Sequence, residues 1–425
     1  MKARKGKKKR LEFRMMTQKH RELIFSPHYK SRSKKNPSDF TRERKMPFAH
    51  MVCFMLNMLK QSTQTGLDRF FELVGKYDTH MSQQAFSETR QKLKWEACRE
   101  LMDASARDVY TCGFSTWHGY RVWAVDGSKM QLPSDKKLRE TFGKSGRSDG
   151  GSGVTAQSSC LYDVLNDIIA DAYLEPIASD ERTLLLRHLE HLCSMESFEK
   201  ELVITDRGYP SIEIIEAFTN TNIRFLMRVR KKFNTDIDKL PMGDHSFTLK
   251  NIPLRVVKFS LPNGETETLI TDLFDKRMGI NAFKSLYFRR WPIETKYAEL
   301  KHKLEIENFS GRTETSVYQD FYITAYLSNM IAVAINETQP ILDDLNEFSE
   351  NLYDYKINKN HAVGVFKDRF IISLLEDNPR NRAKAAHRIL QLLPYHAIPG
   401  NRNRNKPRNP FPRIANFHFN HKSNC

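Results

Sequence analysis

Between residues 46 and 115 the apolar positions recur with a helical period. Val52, Met55, Leu56 and Leu59 fall at i, i+3, i+4 and i+7; Leu67, Phe70, Phe71 and Val74 repeat that pattern, and Gly75 follows as a stop. Ser82 opens a third helix expected to run to about Leu101. Arg90, Lys92 and Lys94 would give it a basic face suited to DNA, so residues 46–115 are expected to form a helical DNA-binding region. Ordinary helix packing explains the same pattern, and a helix-turn-helix is not singled out by it.

From residue 120 the pattern becomes one of short apolar runs separated by turns. Residues 121–125 end at Asp126-Gly127, and residues 201–205 end at Asp206-Arg207-Gly208. Residues 154–174 read as two strands with a turn near Asn166-Asp167, residues 179–181 cap a helix, residues 212–218 form another, and residues 224–228 a further strand. Such alternation predicts an α/β layer, with residues 116–230 as the first part of its core. Residues 231–280 break the rhythm: two β-type runs flank Pro262-Asn263-Gly264, a hairpin signal, and predict a β insertion. Helical sequence returns over 281–340 as the second part of the core, and 341–425 carry C-terminal helices and a basic tail.

Charge changes this picture. Hydrophobic residues make up 40% and charged residues 28% of 425, a globular balance, but the net charge is +17. Residues 1–45 hold 17 Lys/Arg against 4 acids, and 380–425 hold 10 Lys/Arg and no acid, which leaves the stretch between them at −6. Both ends are expected to be largely disordered, as solvated tails or as arms on a DNA backbone. No apolar run reaches the length of a membrane span; residues 322–335 come nearest and carry Asn329. No signal peptide is visible, and six cysteines without a Cys-x-x-Cys pair read as reduced thiols of a cytoplasmic protein.

The two strand–Asp–Gly sequences place carboxylates where open α/β sheets build their sites. A third acid stands in a dense segment. Tyr287, Arg290, Glu294 and Lys301 are separated by 3, 4 and 7 residues, steps that share one helix face, although Pro292 must then kink the helix or occupy its first turn. Trp291, Ile293, Tyr297 and Leu300 are expected to face the core. Three converging carboxylates repel one another unless cations lie between them. Magnesium takes oxygen ligands and shares phosphate oxygens, and a pair of ions can clamp both oxygens of an in-line displacement.

These residues resemble a known family, the bacterial insertion-sequence transposases of the DDE class, in the branch whose signature is Tyr-x2-Arg-x3-Glu-x6-Lys. Tyr287, Arg290, Glu294 and Lys301 match its four positions, Asp126 in Val-Asp-Gly-Ser its first aspartate, and Asp206 in Thr-Asp-Arg-Gly-Tyr-Pro its second. Residues 160–166, 305–311 and 319–321 are also similar to it. The resemblance covers roughly 47–340. It implies a ribonuclease H-like catalytic core with an inserted β subdomain, and Asp126, Asp206 and Glu294 as the catalytic, metal-binding acids. It also implies two Mg2+ ions, with Mn2+ as a substitute. Arg290 and Lys301 are then expected on DNA phosphate, and Tyr287 on the transposon end. The implied activity is cut-and-paste transposition, with inverted-repeat ends and target DNA as partners and a homodimer in the synaptic complex. Two other readings stay open: a nuclease or resolvase on the same fold, and a catalytically silent DNA-binding protein.

Two lesser candidates fall away. Gly143-Lys144-Ser145 lacks the first glycine of a phosphate loop, since position 138 is Leu. His188, His191 and Cys193 do not have zinc spacing.

Overall fold

The computed structural model describes residues 13–43, 45–57, 62–146, 152–195, 200–348 and 353–400. The first 12 residues and the last 25, with about half of the tail Lys and Arg, lie outside them. The chain forms two compact units: one of residues 1–114, 130–156 and 299–425, the other of 115–129 and 157–298.

The first unit is mainly helical. Its earliest described residues correct the expectation of a disordered arm over 1–45. Phe13–Phe25 and Pro27–Ser33 are helices, with Phe13, Met16, Ile24 and Tyr29 completely buried. The apolar stripe at 13, 16, 20 and 24 has helical spacing, but it lies inside a run of Lys and Arg that dominates the composition. His20 Nδ1 sits 3.0 Å from the Tyr326 hydroxyl, so even the polar member of the stripe is partnered.

Helices Thr63–Leu73 and Gln83–Arg90 start at Ser62 and Ser82, whose hydroxyls accept from the backbone N–H of Thr65 and Ala85. The helix expected over 82–101 is broken after Arg90 and restarts as Glu96–Cys112. Gln319 ties the break to the long helix Glu314–Phe348: its Nε2 donates to Arg90 O at 3.2 Å and Leu93 O at 2.9 Å. Arg90 itself corrects the basic-face expectation. It is 1% exposed, donates to Gln319 at 2.8 Å and to Ser310, and pairs with Asp320 at 2.8 Å. Lys92 and Lys94 are exposed. The 35-residue helix Glu314–Phe348 contains the apolar stretch 322–335 and packs against Glu96–Cys112, with Asn329 donating to Ser105 Oγ at 2.9 Å. No helix among the described residues is long and apolar enough to cross a membrane.

Nine strands among the described residues form a mixed sheet: β1 (Arg121–Gln131), β2 (Lys144–Gly146), β3 (Ser152–Asp163), β4 (Ile168–Pro176), β5 (Glu201–Thr205), β6 (Ile223–Val229), β7 (Gly243–Leu249), β8 (Ile252–Ser260) and β9 (Thr266–Thr271). Their order is β2-β3-β1-β5-β6-β9-β8-β7, and β4 also pairs with β3. β1, β5 and β6 run parallel. Parallel strands are covered on both faces and read as continuous apolar runs, and Val122, Trp123, Ala124 and Val125 are all fully buried. Helix Glu181–Ser194 precedes β5 and helix Ile212–Thr219 follows it, capped by Asp180 and Ser211.

Residues 243–271 supply three antiparallel strands, and β9 pairs with β6, so they lengthen the main sheet at one edge. The Asn263-Gly264 turn joins β8 to β9 with Gly264 at φ +82°, the left-handed conformation glycine adopts without strain.

Candidate active site

The parallel register of β1 and β5 sets the site. Ala124 pairs with Ile204; two residues further along the chain stand Asp126, still on β1, and Asp206, the first residue after β5. The register thus places Asp206, just past the end of β5, beside Asp126 on the neighbouring strand. β5 ends at Thr205, whereas β1 continues to Gln131. Asp126 is therefore not at a strand terminus as expected; it lies where β1 runs past its parallel partner, which leaves that edge open.

Of the two expectations for the third segment, a kinked single helix or a helix with Pro292 in its first turn, the structure has the second. Helix Ile280–Phe288 carries Tyr287, and a new helix, Pro292–His302, carries Glu294 and Lys301. Pro292 takes the first position, where its missing N–H costs nothing. Residues 289–291 bridge the helices through tight turns, including Arg290 N–H to Tyr287 O at 3.0 Å and Glu294 N–H to Trp291 O at 3.1 Å. Ile293, Tyr297 and Leu300 are buried as expected, but Trp291 is 46% exposed, because the inter-helix turn swings it away from the core.

This turn places Arg290 among the acids. Its Nη2 donates to Glu294 Oε1 at 2.9 Å and its Nη1 lies 3.7 Å from Asp126 Oδ2. Tyr287 donates its hydroxyl to Asp206 Oδ1 at 3.1 Å, and Tyr297 donates to the main-chain oxygen of Asp126 at 3.0 Å. The structure thus brings together Asp126, Asp206, Tyr287, Arg290 and Glu294. Lys301 lies two turns beyond Glu294 on the same helix, about 10 Å along its axis, and pairs with Glu307 at 3.4 Å.

Burial pushes the Asp126 carboxyl up to about 6, with Glu294 and Glu181 adding to the rise; Arg290 and the Gly127 N–H oppose it. Burial and then the Asp206 carboxylate push the Tyr287 phenol well above its usual range. The Arg290 guanidinium reaches both Asp126 and Glu294.

Four residues of this neighbourhood were given no part in the site by the sequence reading. Glu181 read only as part of a helix start, yet its charge reaches both Asp126 and Tyr209. Tyr209 is 1% exposed and its hydroxyl has no hydrogen-bond partner among the described residues; the same holds for Thr205 Oγ1, beside Asp206. Gln157 donates to Glu181 Oε1 at 3.1 Å. The carboxylates of Asp126, Asp206 and Glu294 are oxygen donors of the kind a hard divalent cation takes. No group of three or more His, Cys, Asp or Glu among the described residues is already drawn close enough to hold a metal ion. The donor chemistry fits a divalent cation, while Arg290 now occupies the space among the acids.

A second constellation has the form of a catalytic triad. Ser159 Oγ lies 3.0 Å from His188 Nε2, and His188 Nδ1 lies 2.8 Å from Asp171 Oδ2. All three are fully buried, which closes them to any substrate and makes them a hydrogen-bonded part of the core.

The transposase DDE domain family matches residues 117–330, a span that contains every residue of the acidic centre. In fold, the chain is similar to the cryo-EM structure of piggyBac transposase in a synaptic complex with hairpin DNA. The TM-score is 0.50 at 11% identity, over 90% of this chain and 86% of that one. No curated protein matches the chain. With half its length matched, the chain belongs to the transposase DDE domain family.

Proposed function

We propose that the chain is a metal-dependent DNA transposase that cleaves transposon ends and joins them to target DNA. The observation that carries this reading is the placing of Asp126 on β1 and Asp206 just after its parallel neighbour β5, with Glu294 tied to Asp126 through Arg290. The strand order β4-β3-β1-β5-β6, with helices around β5, supports a ribonuclease H-like core. The matched Tyr, Arg, Glu and Lys positions support the insertion-sequence branch.

Asp126, Asp206 and Glu294 are the residues that would hold divalent metal, Mg2+ by preference with Mn2+ as substitute. Two such ions would stabilise the attacking and leaving oxygens of a phosphodiester. Tyr287 orients Asp206 through its hydroxyl and Tyr297 anchors the main chain of Asp126. Arg290 keeps the acids compensated in the free protein and is placed to take a DNA phosphate; Lys301 supplies a second cation along the same helix. Lys92, Lys94 and the basic ends add sequence-independent affinity for DNA. In this reading two copies of the chain act together on the paired transposon ends.

The test is strand cleavage and joining on end DNA with Mg2+ by the purified protein. Asp126→Ala, Asp206→Ala and Glu294→Ala are each expected to abolish both reactions while leaving DNA binding intact. Undiminished cleavage in any of the three would overturn the assignment, and cleavage without joined end–target molecules would make the chain a nuclease.

A further inference from the structure

Glycine at position 127, directly after Asp126, leaves a space that other residues use. A Cβ there would lie 2.5 Å from Gln157 Nε2 and 2.6 Å from Glu181 Oε1, distances that real Cβ atoms do not show. Gln157, 6% exposed on β3, donates to Glu181 Oε1 at 3.1 Å. Glu181 begins the helix Glu181–Ser194, whose N-cap Asp180 accepts from Thr183 N–H at 3.0 Å and so fixes the first turn. The missing side chain of Gly127 is what lets a carboxylate from another element reach the backbone beside Asp126.

Tyr209 is an independent observation at the same place. It is 1% exposed with its hydroxyl unpartnered among the described residues, and after burial the charges acting on it most strongly are those of Glu181, Asp126 and Asp206, in that order. A buried hydroxyl with no partner of its own marks a polar space that the protein alone leaves unfilled.

We propose that Glu181, set beside Asp126 by Gln157 across Gly127, is a fourth carboxylate of the acidic centre and contributes to holding the divalent cation there. This rests on the reading of Asp126 as a metal-binding acid. Gln157 is the positioning residue, since it fixes Glu181 by a hydrogen bond and does not itself supply a charged oxygen. Glu181 is exposed at its helix start, so its isosteric amide leaves the fold intact.

The test is Mn2+ binding by the full chain without DNA, followed by electron paramagnetic resonance, for the parental protein, E181Q, E181D, G127A and D126N. Melting temperatures in chelator serve as the control. E181Q is expected to weaken Mn2+ binding about tenfold or more, the size seen when a supporting carboxylate of a metal site is lost, with an unchanged melting temperature. G127A is expected to weaken binding similarly by displacing the Gln157–Glu181 pair, and E181D to retain more affinity than E181Q. Parental affinity in E181Q alongside weakened binding in D126N overturns this proposal alone. Parental affinity in D126N overturns the metal reading of the centre, and this proposal with it.

Discussion

Asp126 shows how a single residue reports its surroundings. Its carboxyl is raised from 3.8 to about 6, chiefly by burial. A folded-state value above the unfolded one means the native chain holds the proton more tightly. The associated stability is complete below about pH 4 and is lost as pH rises to about 6. In chelator, Asp126→Asn is therefore expected to raise stability at pH 8 and to leave it nearly unchanged at pH 4. The ceiling is about 3 kcal/mol for a shift of ~2 units, less what Arg290 loses as a partner. Urea denaturation at the two pH values measures it, and equal effects at both would remove titration as the cause. Arg290 gives a second residue-scale prediction. Lysine keeps the charge but not the planar fork that reaches Asp126 and Glu294 together. Arg290→Lys is expected to lower the cleavage rate at least about tenfold, the loss of one charge-assisted hydrogen bond, with the protein still folded by circular dichroism.

Among elements, the contrast is between those whose pattern was plain and those whose surroundings disguised it. β1 and β5 were legible because buried parallel strands leave unbroken apolar runs, and the Asn263-Gly264 hairpin because its turn needs a residue tolerant of positive φ. Helix Phe13–Phe25 was not, since its stripe of Phe13, Met16, His20 and Ile24 sits in a strongly basic stretch. Deleting residues 1–33 is expected to destabilise the helical unit by several kcal/mol, as burying Phe13, Met16, Ile24 and Tyr29 is worth about 1.5–3 kcal/mol for each full side chain. A melting curve unchanged by the deletion would contradict the packing. Arg90 carries the same lesson. As a surface residue its loss would chiefly weaken DNA binding; as the buried partner of Asp320 and Gln319, Arg90→Ala is expected to cost about 3–5 kcal/mol of stability. Calorimetry on the variant distinguishes the two.

For the molecule as a whole, the total charge of +17 pointed only to a polyanion, while its distribution separates an acidic centre from basic ends. Residues 1–12 carry 7 Lys/Arg and 1 acid. Removing them alone, and keeping the helix that begins at Phe13, is expected to flatten the salt dependence of DNA binding by about 0.9 in log–log slope for each phosphate they neutralise. An unchanged slope would mean that these cations do not meet DNA.

The sequence by itself determined the α/β layer, the two aspartates after apolar runs, and the Tyr, Arg, Glu and Lys spacing, because local periodicity and short motifs need no long-range partner. It left open whether Pro292 kinks one helix or starts another; the structure has Pro292 start a second helix, and the turn before it brings Arg290 to Asp126 and Glu294. Only the tertiary structure decided that Arg90 is buried, that Trp291 is exposed, and that Glu181 reaches Gly127 from another element. Each of these depends on which distant segments pack together, and a side chain's burial and charge partners are properties of that packing.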